Sequence, residues 1–130
     1  MQLVIDTTSL VTVALSDSPD LLAAHELRAP ALIRSEALSA LHEGLWRGAI
    51  TEAVALTARD RVLGARVRLF DDRVLHRTAW DVAERFGLAK THDASYVALA
   101  RLRKIPLLTG DLRMRRWAHG YVDMLTLDEI

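Results

Sequence analysis

Four carboxylates sit where acid chemistry is possible. Asp6 follows the apolar run Leu3-Val4-Ile5. Glu36 stands beside Ile33 and Ala40 on a helical wheel, at the edge of an apolar stripe. Asp93 opens the stretch His92-Asp93-Ala94-Ser95-Tyr96-Val97-Ala98-Leu99-Ala100, and Asp111 follows Leu107-Leu108-Thr109-Gly110. Each also has a plain structural role open to it. Asp6, Asp93 and Asp111 could each cap a helix, and Glu36 could answer a helix dipole. Brought together they would repel, and one pKa would rise strongly. A divalent, oxygen-seeking ion such as Mg²⁺ or Mn²⁺ relieves that conflict, whereas Zn²⁺ prefers His or Cys. The chain has no cysteine, which removes thiolate ligands, thiol nucleophiles and disulfides. Its histidines are at 25, 42, 76, 92 and 119. His42-Glu43 begins a zinc-binding His-Glu-x-x-His, but no second His closes it.

Such acids are useful only if the fold gathers them. Residues 3–5 read as a buried strand, and 10–15 as a helix capped by the polar run before it. Residues 20–28 read as a short second helix, with Leu21, Leu22 and Leu27 on its apolar side. Further helices are expected from Ile33 to about Arg47, stopped by Gly48, and over 51–63. A strand is expected at 67–70, then a helix capped by Asp71 or Asp72 and ended by Gly87. The Asp93 helix is apolar on nearly every side, so it should be buried. A strand at 105–108, a brief helix at 112–118 and a last strand at 121–125 complete the chain. Strands alternating with helices predict an α/β layered domain around a mostly parallel sheet. Ligands of such sheets bind outside the carboxyl ends of the strands, where Asp6 and Asp111 fall.

The chain has 130 residues, 51% of them hydrophobic, so one folded domain over 1–130 is expected rather than disorder. No secretory signal and no long apolar span is visible, so a soluble, cytoplasmic protein without membrane contact is expected. Formal net charge is zero. A globally basic nucleic-acid binder is therefore not indicated, and any such surface must be local. The cations are mostly Arg, with Lys only at 90 and 104, and Arg suits bidentate phosphate contacts. Trp46 and Trp80 lie in amphipathic helices and are expected in the core or an interface.

The chain resembles the PIN-domain family, and especially VapC-type toxins of bacterial toxin–antitoxin pairs. Leu3-Val4-Ile5-Asp6-Thr7-Thr8 looks like the family's first strand and first acid, and Pro30-Ala31-Leu32-Ile33-Arg34-Ser35-Glu36 like the segment carrying the second. The motif around Asp93 resembles the stretch bearing the third acid, and Leu107-Leu108-Thr109-Gly110-Asp111 the one bearing the fourth. Some members have a further acid just after the fourth; here Leu112 and Arg113 stand there. The resemblance implies a three-layer α/β/α sandwich with a central, mostly parallel sheet of four or five strands. It implies an endoribonuclease in which Asp6, Glu36, Asp93 and Asp111 hold Mg²⁺ or Mn²⁺ and a metal-activated water cuts the phosphodiester. Thr8, where members often have Ser or Asn, and Thr109 would support the acids. Arg113, Arg115, Arg116 and His92 would face RNA, unless they form only a solvated helix face and a cap. A VapB-like antitoxin and a homodimer are the implied partners.

Three other readings compete. A haloacid-dehalogenase-like phosphatase needs a second Asp two residues after the first, and position 8 is Thr. A receiver-like phosphoacceptor wants an acidic pair at the first strand and a Lys at the last, and neither is evident. A catalytically silent PIN-like module that binds RNA or protein would not need all four acids.

Overall fold

Short apolar runs between helices build the sheet. The computed structural model describes residues 1–130. Strands β1 (Gln2–Ile5), β2 (Glu26–Pro30), β3 (Val67–Phe70), β4 (Leu107–Leu108) and β5 (Met124–Leu125) lie in the order β3-β2-β1-β4-β5. Every pairing is parallel. Parallel neighbours need long crossovers, and helices supply them. Helix α1 (Thr7–Leu15) joins β1 to β2. Helices α2 (Ile33–Trp46) and α3 (Glu52–Gly64) join β2 to β3. Helices α4 (Arg73–Phe86) and α5 (His92–Arg103) lead to β4, and α6 (Leu112–Trp117) leads to β5.

The chain steps one way across the sheet to β3 and then returns past β1 to β4. Right-handed crossovers then put α1, α2 and α3 on one face and the later helices on the other. The packing agrees, since α1 meets α2 and α3 while α4 meets α5. The result is a three-layer α/β/α sandwich around a five-stranded, wholly parallel sheet.

Because both faces are covered, β1 shows no polar alternation: Leu3, Val4 and Ile5 are fully buried. Helix α5 is buried continuously from Ala94 to Ala100. Its alanines let it lie close on β1 and β2. Helix α4 stops at Gly87, whose φ of 68° is easy for glycine and costly for other residues. No helix is long and apolar enough to cross a membrane.

One sequence expectation needs correction and another is narrowed. Residues 20–28 do not form a helix. A 3₁₀ turn over Pro19–Leu22 is followed by β2, the strand between β1 and β3. Leu21, Leu22 and Leu27 imitate helical spacing, but pairing on both sides of Leu27 decides the conformation. Exposure narrows the expectation for the tryptophans, core or interface, by excluding the core. Trp46 and Trp80 are 83% and 62% exposed, so neither belongs to this chain's core. Trp117 is the half-buried one, with its ring 5.2 Å from that of Phe86.

Candidate active site

The strand order reverses between β1 and β4, and crevices of parallel sheets open at the carboxyl side of such a reversal. Asp6 leaves β1 there, and Thr109 and Asp111 leave β4. Asp6 is only 2% exposed, and each of its oxygens is hydrogen-bonded. Oδ1 accepts from the Ser9 backbone N–H at 2.9 Å, which makes Asp6 the N-cap of α1. Thr8 Oγ1 lies 2.9 Å from both carboxylate oxygens, and the Thr109 hydroxyl donates to Oδ2. Burial pushes the Asp6 pKa up, and the Thr109, Ser9 and Thr8 donors pull against that shift.

Thr109 also ties the first acid to the fourth. Its hydroxyl oxygen accepts the Asp111 N–H at 3.0 Å. Asp111 is the N-cap of α6, its Oδ1 accepting from the N–H groups of Arg113 at 2.9 Å and Met114 at 3.2 Å. Oδ2 has no donor. The capping reading of Asp6 and Asp111 is thus correct, and so is their convergence on one edge.

Glu36 lies in the first turn of α2. Its Oε1 accepts a 2.6 Å hydrogen bond from Tyr96 Oη on α5 and a 3.1 Å bond from Thr7 Oγ1 on α1. Thr7 Oγ1 and Tyr96 Oη are themselves 2.9 Å apart. Burial and then the Glu36 hydrogen bond push the Tyr96 pKa far up, so the phenol stays a donor. Neither Tyr96, which is buried in the core, nor Thr7 is among the residues that the sequence marks for chemistry. The available signal was that a buried tyrosine hydroxyl needs a partner, and that Tyr96 shares a helix face with Asp93.

Asp93 behaves differently from the others. The N-cap of α5 is Thr91, so Asp93 sits inside the first turn and does not cap it. Its carboxylate has no hydrogen bond and is half-buried. Its pKa is raised first by burial, then by the charges of Asp111 and Glu36, with Asp6 adding to them and Arg113 opposing. Four acids from four separate stretches therefore share one electrostatic environment. Arg113 is the cation that acts on it. Arg115 instead lines a different cleft, and Arg116 and His92 are exposed.

As the side chains stand, no three His, Cys, Asp or Glu groups form a set that could ligate one ion. The donor chemistry nonetheless suits a hard divalent cation. Both Asp93 oxygens, Glu36 Oε2 and Asp111 Oδ2 carry no protein donor, and mutual repulsion of these carboxylates is what such a cation relieves.

Fold and crevice together define a wholly parallel α/β protein whose acids collect where the strand order reverses. The PIN domain model matches residues 3–120, and the chain belongs to that family. Among solved structures, a Pyrobaculum aerophilum protein, PAE2754, is similar at 23% identity and a TM-score of 0.77, covering 98% of this chain and 90% of that one. VapBC-1 from nontypeable Haemophilus influenzae is similar at 13% identity and 0.64, over 98% of this chain and 99% of that chain. VapBC2 from Rickettsia felis, solved with a DNA fragment from its promoter, is similar at 14% and 0.63, over 97% and 98%. No curated protein matches.

Proposed function

We propose that this chain is a Mg²⁺- or Mn²⁺-dependent endoribonuclease, working as one domain over residues 1–130. In this reading it is the toxin of a VapBC-type pair, a cytoplasmic homodimer partnered by a VapB-like antitoxin. Membership of the PIN family supports the nuclease, and the similar folds named VapBC support the toxin–antitoxin setting. The observation that carries the proposal is Asp93, an acid without a donor whose ionisation is opposed by burial first and then by Asp111, Glu36 and Asp6.

Asp93, Glu36 and Asp111 supply donor-free oxygens for the metal, with Asp6 as the buried fourth acid. Bound there, a divalent cation supplies Lewis-acid charge to the phosphoryl group and acidifies water. The chain's own groups do the positioning. Thr109, Ser9 and Thr8 fix the Asp6 carboxylate, and Tyr96 and Thr7 fix Glu36. Asp93, the acid that neither caps a helix nor accepts a hydrogen bond, has an oxygen free to take the proton of the attacking water. Water oxygen bonds to phosphorus, the P–O3′ bond breaks, and the 3′ oxygen takes a proton from solvent water to leave as a hydroxyl, with the phosphate remaining on the 5′ side. Arg113 offers charge to the phosphate oxygens. The phosphatase alternative is disfavoured because its general acid would fall at position 8, where Thr8 is an alcohol, too weakly acidic for that role, that donates to Asp6.

The test is incubation with structured RNA and Mn²⁺ or Mg²⁺, with and without chelator. Chelator-sensitive cleavage that Asp93→Asn and Asp6→Asn both abolish is the expected result. Cleavage that survives both substitutions overturns the assignment, as does turnover of a phosphate monoester with RNA left intact.

A further inference from the structure

A second cleft lies at the far end of α5 from Asp93. It encloses about 850 Å³ and is lined by Arg101, Lys104, Arg115, His119 and Tyr121, with Asp123 its one acid. In a chain of zero net charge this is a concentration of one sign. Arg101 closes one wall: its Nη1 donates to the Tyr121 carbonyl at 2.8 Å, and its guanidinium lies 4.3 Å from the Tyr121 ring centre. A planar cation stacked on an aromatic ring makes a surface suited to bases as well as phosphates.

Lys104 is the telling residue. It follows α5 in the left-handed region, with φ 56° and ψ 44°, and is the one non-glycine with positive φ. That position ordinarily takes glycine, as it does after α4, and a side chain there costs roughly 1 kcal/mol. Here the chain keeps a long cationic side chain at the strained position, facing other cations. Neither packing nor capping requires it, since Lys104 is exposed.

Two helices link the cleft to the acidic crevice. Arg101 and Lys104 lie eight and eleven residues beyond Asp93 along α5, about 12 and 16 Å at the helical rise. Helix α6 begins at Asp111, carries Arg113 beside Asp93, and reaches the cleft with Arg115. Because α5 is buried from Ala94 to Ala100, a strand must pass around it over α6, which at about 3.4 Å per stacked nucleotide takes at least four to five nucleotides.

The geometry points to this cleft as a second binding site for the RNA backbone, gripping the substrate at least four to five nucleotides from the scissile phosphate. The inference rests on the nuclease reading for its substrate, but its test does not need cleavage. Binding is measured by fluorescence anisotropy on a labelled twelve-nucleotide single-stranded RNA, in Mg²⁺, on an Asp6→Asn background. Lys104→Gly removes the charge and the backbone strain together, so it should not unfold the protein. Lys104→Gly with Arg115→Gln is expected to weaken binding about tenfold. It should also flatten the dependence of log affinity on log salt by about 1.4, at roughly 0.7 per lost phosphate contact. Arg47→Gln, at the far end of α2, is expected to do neither.

Unchanged affinity and slope in the double variant overturn the proposal, as does an equal loss from Arg47→Gln, which would mean bulk charge alone. Binding of an acidic peptide in place of RNA also overturns it. RNA that is held through the cleft yet never cut by the unsubstituted protein removes the nuclease reading and leaves the cleft assigned. RNA that is cut equally well with Lys104→Gly and Arg115→Gln at limiting concentration removes the cleft alone.

Discussion

Tyr96 Oη stands 2.6 Å from Glu36 Oε1, so a residue of α5 fixes the rotamer of a carboxylate on α2, which packs on the other face of the sheet. Bonds of this kind orient groups that hold metals. Tyr96→Phe keeps the ring in its packed place and removes only the donor. The expected outcome is a loss of about 10- to 100-fold in activity or in apparent Mn²⁺ affinity. Thermal stability should fall by only about 1 kcal/mol. Mn²⁺ titrations of cleavage rate and thermal melts check the two parts separately.

Thr109→Val leaves the buried Asp6 without one of its donors. The Thr109 hydrogen bond lowers the Asp6 pKa against the upward push of burial, so its loss lets that pKa climb further. A carboxyl whose folded pKa is raised contributes stability below its unfolded pKa and loses it as pH rises through the folded value. The destabilisation, about 1–3 kcal/mol, should therefore be full at pH 7 and smaller near pH 4. Melts of both proteins at the two pH values are the check.

Asp93 has the same sign for a different mix of reasons, burial first and then its acidic neighbours. Metal-free protein should lose stability as pH rises from the ordinary carboxylate range through the Asp93 folded pKa. Asp93→Asn removes that loss, so it should melt a few degrees higher than the parent at pH 7 without metal. Adding Mg²⁺ should raise the parent's melting temperature by mass action and raise that of Asp93→Asn far less. Equal metal-induced shifts in both proteins would place the ion elsewhere.

Arg113 is the cation that lowers the Asp93 pKa. Arg113→Gln should move it upward, as read by carboxyl NMR titration of metal-free protein. The exposed position of Arg113 predicts a modest shift that shrinks in high salt.

Much of this was legible in the chain itself. Leu3-Val4-Ile5-Asp6 announced a buried strand ending in an acid because a two-sided parallel strand needs a continuous apolar run. The α5 stretch announced a buried helix because its small apolar residues face every direction. Strand β2 was hidden, since Leu27 and Ala29 mark a strand only once β1 and β3 flank them. The support of Glu36 was hidden for a similar reason. Tyr96 lies 60 residues from it, and no local pattern records that the sheet edge joins them.

Asp6 and Asp111 each hold the start of a helix as well as a place in the crevice, while Asp93 closes no helix and accepts no hydrogen bond. Related chains that have abandoned the chemistry would thus keep the first and last acids for folding alone. Their Asp93 position, which no architecture protects, would drift first. Among distant copies, that single column should separate members that keep the proposed activity from those that have lost it better than a count of all four.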